Sequence, residues 1–174
     1  MNVKSTIAVR RAVTADAAQL AKLAAATFEE TFGHLYEPKD LQAFLSSSRS
    51  AERYLRMLTD ARIGLWIAAV DQGEPIGYAV VGSCKLPVEN LESTAGEVQE
   101  LYVRSDYHGQ QLGTRLLTTA LDWLAAEHFA PLYVGVWSEN VGAQRLYERF
   151  GFAKVGEYGF PVGDHIDHEF ILKR

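Results

Sequence analysis

Cysteine is almost absent. Cys84 stands alone among 174 residues, so no intrachain disulfide framework can form. Basic charge is in deficit: 17 Lys and Arg face 22 Asp and Glu, a formal net charge of −5. A sequence-independent grip on nucleic acid needs a basic surface, which argues against a nucleic-acid partner. Long apolar runs are missing too. The longest, Ile63 to Val70, falls far short of the ~20 residues of a membrane helix, so no membrane role is expected. Residues Met1 to Thr6 hold no apolar core of signal length, and a cytoplasmic location is the expectation. Repeats, linkers and low-complexity segments are also lacking. What is present is 48% hydrophobic and 22% charged residues. That mixture excludes a disordered chain, a coiled coil and a collagen-like repeat. It suits one domain over residues 1–174, burying roughly two-thirds of the surface the unfolded chain exposes.

The hydrophobic period then locates the elements. Residues 7–13 read as a first strand. Thr14 offers an N-cap hydroxyl with Asp16 in the first turn, and the spacing of Leu20, Leu23, Ala24, Thr27 and Phe28 predicts a helix over 14–32. Pro38 opens a second helix and Ala51 to Leu58 form a third. Residues 63–70 and 76–84 make a hairpin around the turn Asp71-Gln72-Gly73-Glu74-Pro75. A surface loop over 85–95 precedes a strand over 96–103. A helix over 111–127, a strand over 131–136, a helix capped by Asn140 and ended by Gly151, and two strands over 152–159 and 165–172 follow. A strand–helix–strand crossover beside hairpins implies a mixed α/β sheet with helices on its faces.

Two windows carry candidate chemistry. In Glu97-Val98-Gln99-Glu100-Leu101-Tyr102-Val103 a strand ends, and His108-Gly109-Gln110-Gln111-Leu112-Gly113-Thr114 starts a helix. Its two glycines leave the backbone open, and the first helical N–H groups lack internal partners. Together they make an anion site suited to a pyrophosphate. The plainer reading is that the glycines only let strand turn into helix. No Gly-Lys-Ser/Thr follows, so this is not a P-loop. In the second window, Val134 to Phe152, Asn140 and Tyr147 read as cap and core, or as two polar groups facing a cleft.

Asn140-x-x-Ala143-x-x-x-Tyr147-x-x-x-Gly151-Phe152, placed after the Gly109/Gly113 turn, resembles the GNAT superfamily of acyl-CoA-dependent N-acetyltransferases. The element order matches over essentially the whole chain. His108 stands where the family usually has Arg or Gln, and Gln111 where it usually has glycine. Position 111 is expected to take helical dihedrals, leaving the pyrophosphate site intact. Thr27-Phe28 through Thr31-Phe32, Gly135-Val136-Trp137 and Phe160 to His165 are similar to the bacterial spermine/spermidine N-acetyltransferase group.

The resemblance implies a mixed, mostly antiparallel sheet of about seven strands flanked by helices, with a splay between the fourth and fifth strands. It implies acetyl-CoA as co-substrate, no metal, and direct attack by a small primary amine such as spermidine or spermine. A homodimer is common in the family. Leu101 and Val103 would pair with the pantetheine arm, residues His108 to Thr114 would hold the pyrophosphate, and Asn140 would bond the arm. Tyr147 would be the general acid, and the Leu101 or Tyr102 N–H would meet the developing negative oxygen.

An alkyl ammonium, pKa about 10.4, must lose a proton to a carboxylate before it attacks. Glu97 is the first candidate and Glu100 the second. Simple alternation sends them to opposite faces unless a bulge breaks the parity. The plainer reading of each is a solvated strand glutamate. His34, His165 and His168 show no metal-ligand spacing, and Cys84 reads as a small core residue. Glu29, Glu30, Glu37, Asp164 and Asp167 would attract a polyamine or are solvated surface charge. Competing readings are a peptide N-terminal or protein lysine acetyltransferase, and a non-catalytic acyl-CoA-binding module.

Overall fold

The first strand of the computed structural model, β1 (Ile7–Arg11), lies at one edge of a seven-stranded sheet. The structure describes residues 6–71 and 73–174. Residues 1–5 of the N-terminal stretch Met1 to Thr6 lie outside that range, as does Gln72 of the first hairpin turn. Thr14 does not cap the first helix. Residues Thr14–Asp16 form a 3-10 turn, and α1 begins one step later, at Ala17–Phe32. Asp16 does the local work instead: its carboxylate accepts from the Val13 N–H and takes both ends of the Arg10 guanidinium, each at 2.8 Å.

After α1 come α2 (Pro38–Ser48) and α3 (Ala51–Thr59), the latter capped by the Ser50 hydroxyl. The hairpin β2 (Gly64–Val70) and β3 (Pro75–Ser83) leads to β4 (Gly96–Val103). Helix α4 (Leu112–Ala126) crosses to β5 (Leu132–Trp137), and α5 (Val141–Arg149) precedes the hairpin β6 (Ala153–Val162) and β7 (His165–Lys173). That last hairpin is longer than its sequence pattern suggested. Ladder pairing continues to Val162 opposite His165, because Gly163 supplies a left-handed residue (φ 58°) for a two-residue turn.

The strand order is β1-β2-β3-β4-β5-β7-β6, and every neighbour is antiparallel except β4 with β5. That parallel pair holds for only three residue pairs, Gly96–Leu132 to Val98–Val134. Beyond Val98 the two strands part. The mixed α/β sheet with a splay after its fourth strand is therefore present. Helix α4 buries Leu116, Leu117, Ala120 and Leu124 against one face, and Tyr147 and Phe152 belong to the same core. Helices α1 and α3 cover the other face through Leu20, Leu23 and Tyr54, packed on Tyr78 of β3. Among the described residues, no helix is long and apolar enough to cross a membrane.

Candidate active site

The splay gives the site its shape. Arg104 N–H bonds the Ile76 carbonyl at 2.9 Å, so the two-residue alternation of an antiparallel ladder sends the Tyr102 and Glu100 N–H groups to β3 as well. Leu101 and Val103 then turn their N–H groups toward the gap. Of the two N–H groups named as candidate donors, only that of Leu101 faces the gap, because that of Tyr102 is shared with β3. The Val103 carbonyl is engaged: His108 Nε2 lies 2.8 Å from it and closes the turn after β4.

A cavity of about 490 Å³ opens there. Leu101, Tyr102 and Val103 form one wall. His108, Gly109, Gln111, Leu112, Gly113 and Thr114 form the floor at the start of α4. Asn140 and Tyr147 close it from α5. Gln110, exposed in the same turn, is not part of the lining. Sequence reading missed Arg149, a cation in the last turn of α5 that also lines the cavity. Its signal was its helical spacing, seven residues after Gly142, which lines the same wall.

The turn is built for close approach. A Cβ placed on Gly109 would meet nothing within 4 Å, and one on Gly113 only Leu146 Cδ2 at 3.4 Å. With the unpaired N–H groups of the first turn of α4, this open backbone fits a diphosphate. Gln111 differs from expectation. Its φ of 60° is left-handed and places it before the helix, not in helical dihedrals. Glycine holds that conformation without the penalty a side chain brings. Gln111→Gly is therefore expected to stabilise the protein by about 0.5–1 kcal/mol, seen as a higher melting temperature. A lower melting temperature would show that the glutamine side chain contributes packing there.

Asn140 is a cap in the structure: its Oδ1 accepts from the Ala143 N–H at 3.0 Å. It also lines the cavity, so cap and cleft readings coincide. Tyr147 likewise joins both readings. It is buried in the core, edge-on to Phe152 with ring centroids 5.8 Å apart, and still reaches the cavity. Burial pushes its pKa up, helped by Tyr102 and Glu169, so the hydroxyl keeps its proton well above neutrality.

The strand glutamates break the simple parity. Val81 pairs with Val98 and Val80 with Glu100, so Gln99 is an extra, bulged residue. Val98 packs in the α4-side core. Glu97 and Glu100 therefore share the opposite face, where both are buried rather than solvated. Glu100 is paired with two arginines and two tyrosines. Tyr54 and Tyr78 donate to its Oε2 at 2.7 and 2.8 Å, and the Arg53 guanidinium sits 2.7 Å from its Oε1, with Arg49 at 3.8 Å. Burial pushes its pKa up, but Arg49, Arg53 and the two tyrosines outweigh that and hold it below the usual range. Glu97 accepts the Lys85 N–H at 2.7 Å, yet burial leaves its pKa raised.

On that same face Tyr36 donates to Asp167, and His165 Nε2 lies 3.1 Å from the other Asp167 oxygen. Glu169, two residues on, was not singled out by any motif. It is 8% exposed and stands opposite Trp137 of β5 and Tyr158 of β6. No cluster of three or more His, Cys, Asp or Glu among the described residues can hold a metal ion. Cys84 is half-buried beside Leu86, and burial pushes its thiol up to about 11.

The model of the Acetyltransferase (GNAT) family matches residues 18–152. An uncharacterized N-acetyltransferase of Mycobacterium tuberculosis is 30% identical over 163 residues, covering 91% of this chain and 97% of that one. The spermine/spermidine N(1)-acetyltransferase of Bacillus subtilis is 29% identical over 92 residues, 51% of this chain and 59% of its own. The crystal structure of PaiA N-acetyltransferase from Thermoplasma acidophilum in complex with coenzyme A aligns with a TM-score of 0.77 at 18% identity. That alignment covers 97% of this chain and 99% of the other, and it supports the fold. A match running from α1 through the helix that carries Tyr147 makes this chain a member of the acetyltransferase (GNAT) family and an acetyl-CoA-dependent N-acetyltransferase.

Proposed function

We propose that the enzyme moves an acetyl group onto the primary amine of a small molecule, with a polyamine such as spermidine or spermine the first acceptor to test. The observation that carries this reading is the pair of buried carboxylates, Asp167 and Glu169, which β7 places beside the splay on the α1 face of the sheet. Buried negative charge favours a cationic guest. The partial similarity to a spermine/spermidine acetyltransferase points the same way. A cytoplasmic single-domain homodimer belongs to the same proposal.

Acetyl-CoA supplies an activated acetyl thioester. The chain's own residues do the rest. The α4 turn from His108 to Thr114 holds the diphosphate, the Leu101 N–H meets negative charge growing on the carbonyl oxygen, and Asn140 flanks the pantetheine arm. Tyr147 stands at the cavity wall with a proton to give to the departing sulfur.

One observation favours a second acceptor class. Arg49 and Arg53 share the single carboxylate of Glu100, and Arg49 Nε and Arg53 Nη1 are buried without a partner among the described residues. That surplus positive charge would suit an amine that also carries a carboxylate. Thiol release from acetyl-CoA with a panel of amines decides. The highest kcat/KM on polyamines supports the first reading, and the highest on amino acids the second. Release only with peptides or proteins overturns both, and acetyl-CoA binding without release for any amine identifies a non-catalytic module.

A further inference from the structure

Near the splay, the face of the sheet opposite α4 holds four buried carboxylates, and three are already bonded. Glu100 belongs to Arg53, Tyr54 and Tyr78, Glu97 to the Lys85 N–H, and Asp167 to Tyr36 and His165. Glu169 is different. It is more than nine-tenths buried, and among the described residues no hydrogen bond or ion pair reaches its carboxylate. Burying an unpaired carboxylate is unfavourable unless a cation or a proton answers it.

Its position is specific. Register places it opposite Trp137, the last residue of β5, where that strand has already left β4. Antiparallel partners point to the same face, and Trp137 meets Phe32 edge-on at 5.5 Å on the α1 side of the sheet. Tyr158 of β6 is its ladder neighbour, and Tyr36, Tyr102 and Tyr147 are near enough for its charge to push their pKa values up. Tyr102 and Tyr147 line the cofactor cavity. The carboxylate thus sits at the mouth of the splay, on the face opposite α4.

We propose that Glu169 is the base that takes the proton from the acceptor ammonium. The inference rests on the small-amine reading above. Glu169 accepts one ammonium proton, and that N–H electron pair stays on nitrogen and forms the new N–C bond. The C–S bond breaks with its pair on sulfur, which takes the Tyr147 proton. The second proton lost from nitrogen restores Tyr147, and Glu169 passes its own to water. Burial and the neighbouring Asp167 push Glu169 up to about 7, the range in which a base works best at neutral pH.

The titratable groups within reach of the Glu169 charge are Asp167 on β7, Tyr158 on β6, Tyr102 on β4, Tyr147 on α5 and Tyr36 before α2. Arg49 stands behind Tyr102, His165 on Asp167 and His34 on Trp137. The tyrosines are all pushed upward and stay neutral. The histidines need controls. In the wild type kcat/KM should rise as pH passes about 7 and fall again as the free amine replaces the ammonium, near its own pKa of about 10.

Glu169→Gln should lower kcat/KM about 100-fold at neutral pH and abolish the limb near 7, the rate then simply following the free amine upward. His34→Gln and His165→Gln should keep that limb. Melting temperature and acetyl-CoA affinity are measured alongside. If Glu169→Gln does not fold, the wild-type profile decides: no limb near neutrality overturns the proposal. A limb that persists in folded Glu169→Gln, or disappears in a histidine variant, also overturns it while leaving the small-amine reading intact. No turnover of any small amine by the wild type overturns both.

Discussion

Tyr147→Phe should lower kcat about 100-fold while leaving acetyl-CoA affinity and the melting temperature nearly unchanged. The argument is geometric. The ring supplies the packing, edge-on to Phe152 and within the α4-side core, and phenylalanine keeps it. The hydroxyl has no bonded partner among the described residues, so its removal leaves no orphaned donor or acceptor. What is lost is a proton at the cavity wall. Burial keeps that proton in place through neutral pH, whereas a thiol with pKa about 8.5 wants one on leaving. Thiol release and calorimetric binding of coenzyme A separate the two quantities. An unchanged kcat would remove Tyr147 from the chemistry.

Glu100→Gln should cost about 3–5 kcal/mol of stability and lower the melting temperature by about 10 °C. Glutamine keeps the volume and can still accept from Tyr54 and Tyr78. It cannot neutralise Arg49 and Arg53, whose side chains are 8% and 25% exposed. Two guanidiniums would then sit beside Tyr54, Tyr78 and Tyr102 without a counter-charge. The pH dependence has a definite sign. The folded-state pKa of Glu100 lies below its unfolded value, near 4.3. Its stabilisation is therefore complete above that unfolded value and is lost as pH falls through the folded one. Wild type and variant should differ most near neutrality and converge in acid. Equal melting temperatures at neutral pH would mean that water or a ligand already compensates the arginines.

The parts of this site that sequence reveals are those whose signal is local. Asn140 announces a cap, Gly151 a left-handed stop at φ 86°, and Gly109 and Gly113 an open turn, and each does what its residue type demands. The strand and helix order followed from hydrophobic period together with cap and turn residues. The missed features are non-local. Whether Glu97 and Glu100 share a face depends on one bulged residue, Gln99, defined only against β3. Gln111 looked helical because nothing in its neighbours forbids helical dihedrals; the chain's entry into α4 sets its φ. Glu169 sits in a strand with no motif around it. It gains meaning only when β7 pairs with β5 and carries it to the mouth of the splay. Its distance in sequence from Tyr102 and Tyr147 hid a neighbourhood that three strands and a helix create.

The three-residue seam between β4 and β5 leaves an edge in the middle of a sheet. Such an edge has a kinetic signature. The Leu101 and Val103 amide protons point into the gap, while those of Glu100 and Tyr102 are shared with β3. In deuterated water the first pair should exchange within the time of local breathing, and the second only when the β3–β4 ladder itself opens. An extended pantetheine arm laid along β4 would erase the difference. The strand thus carries its own clock for occupancy, readable residue by residue without any acceptor amine.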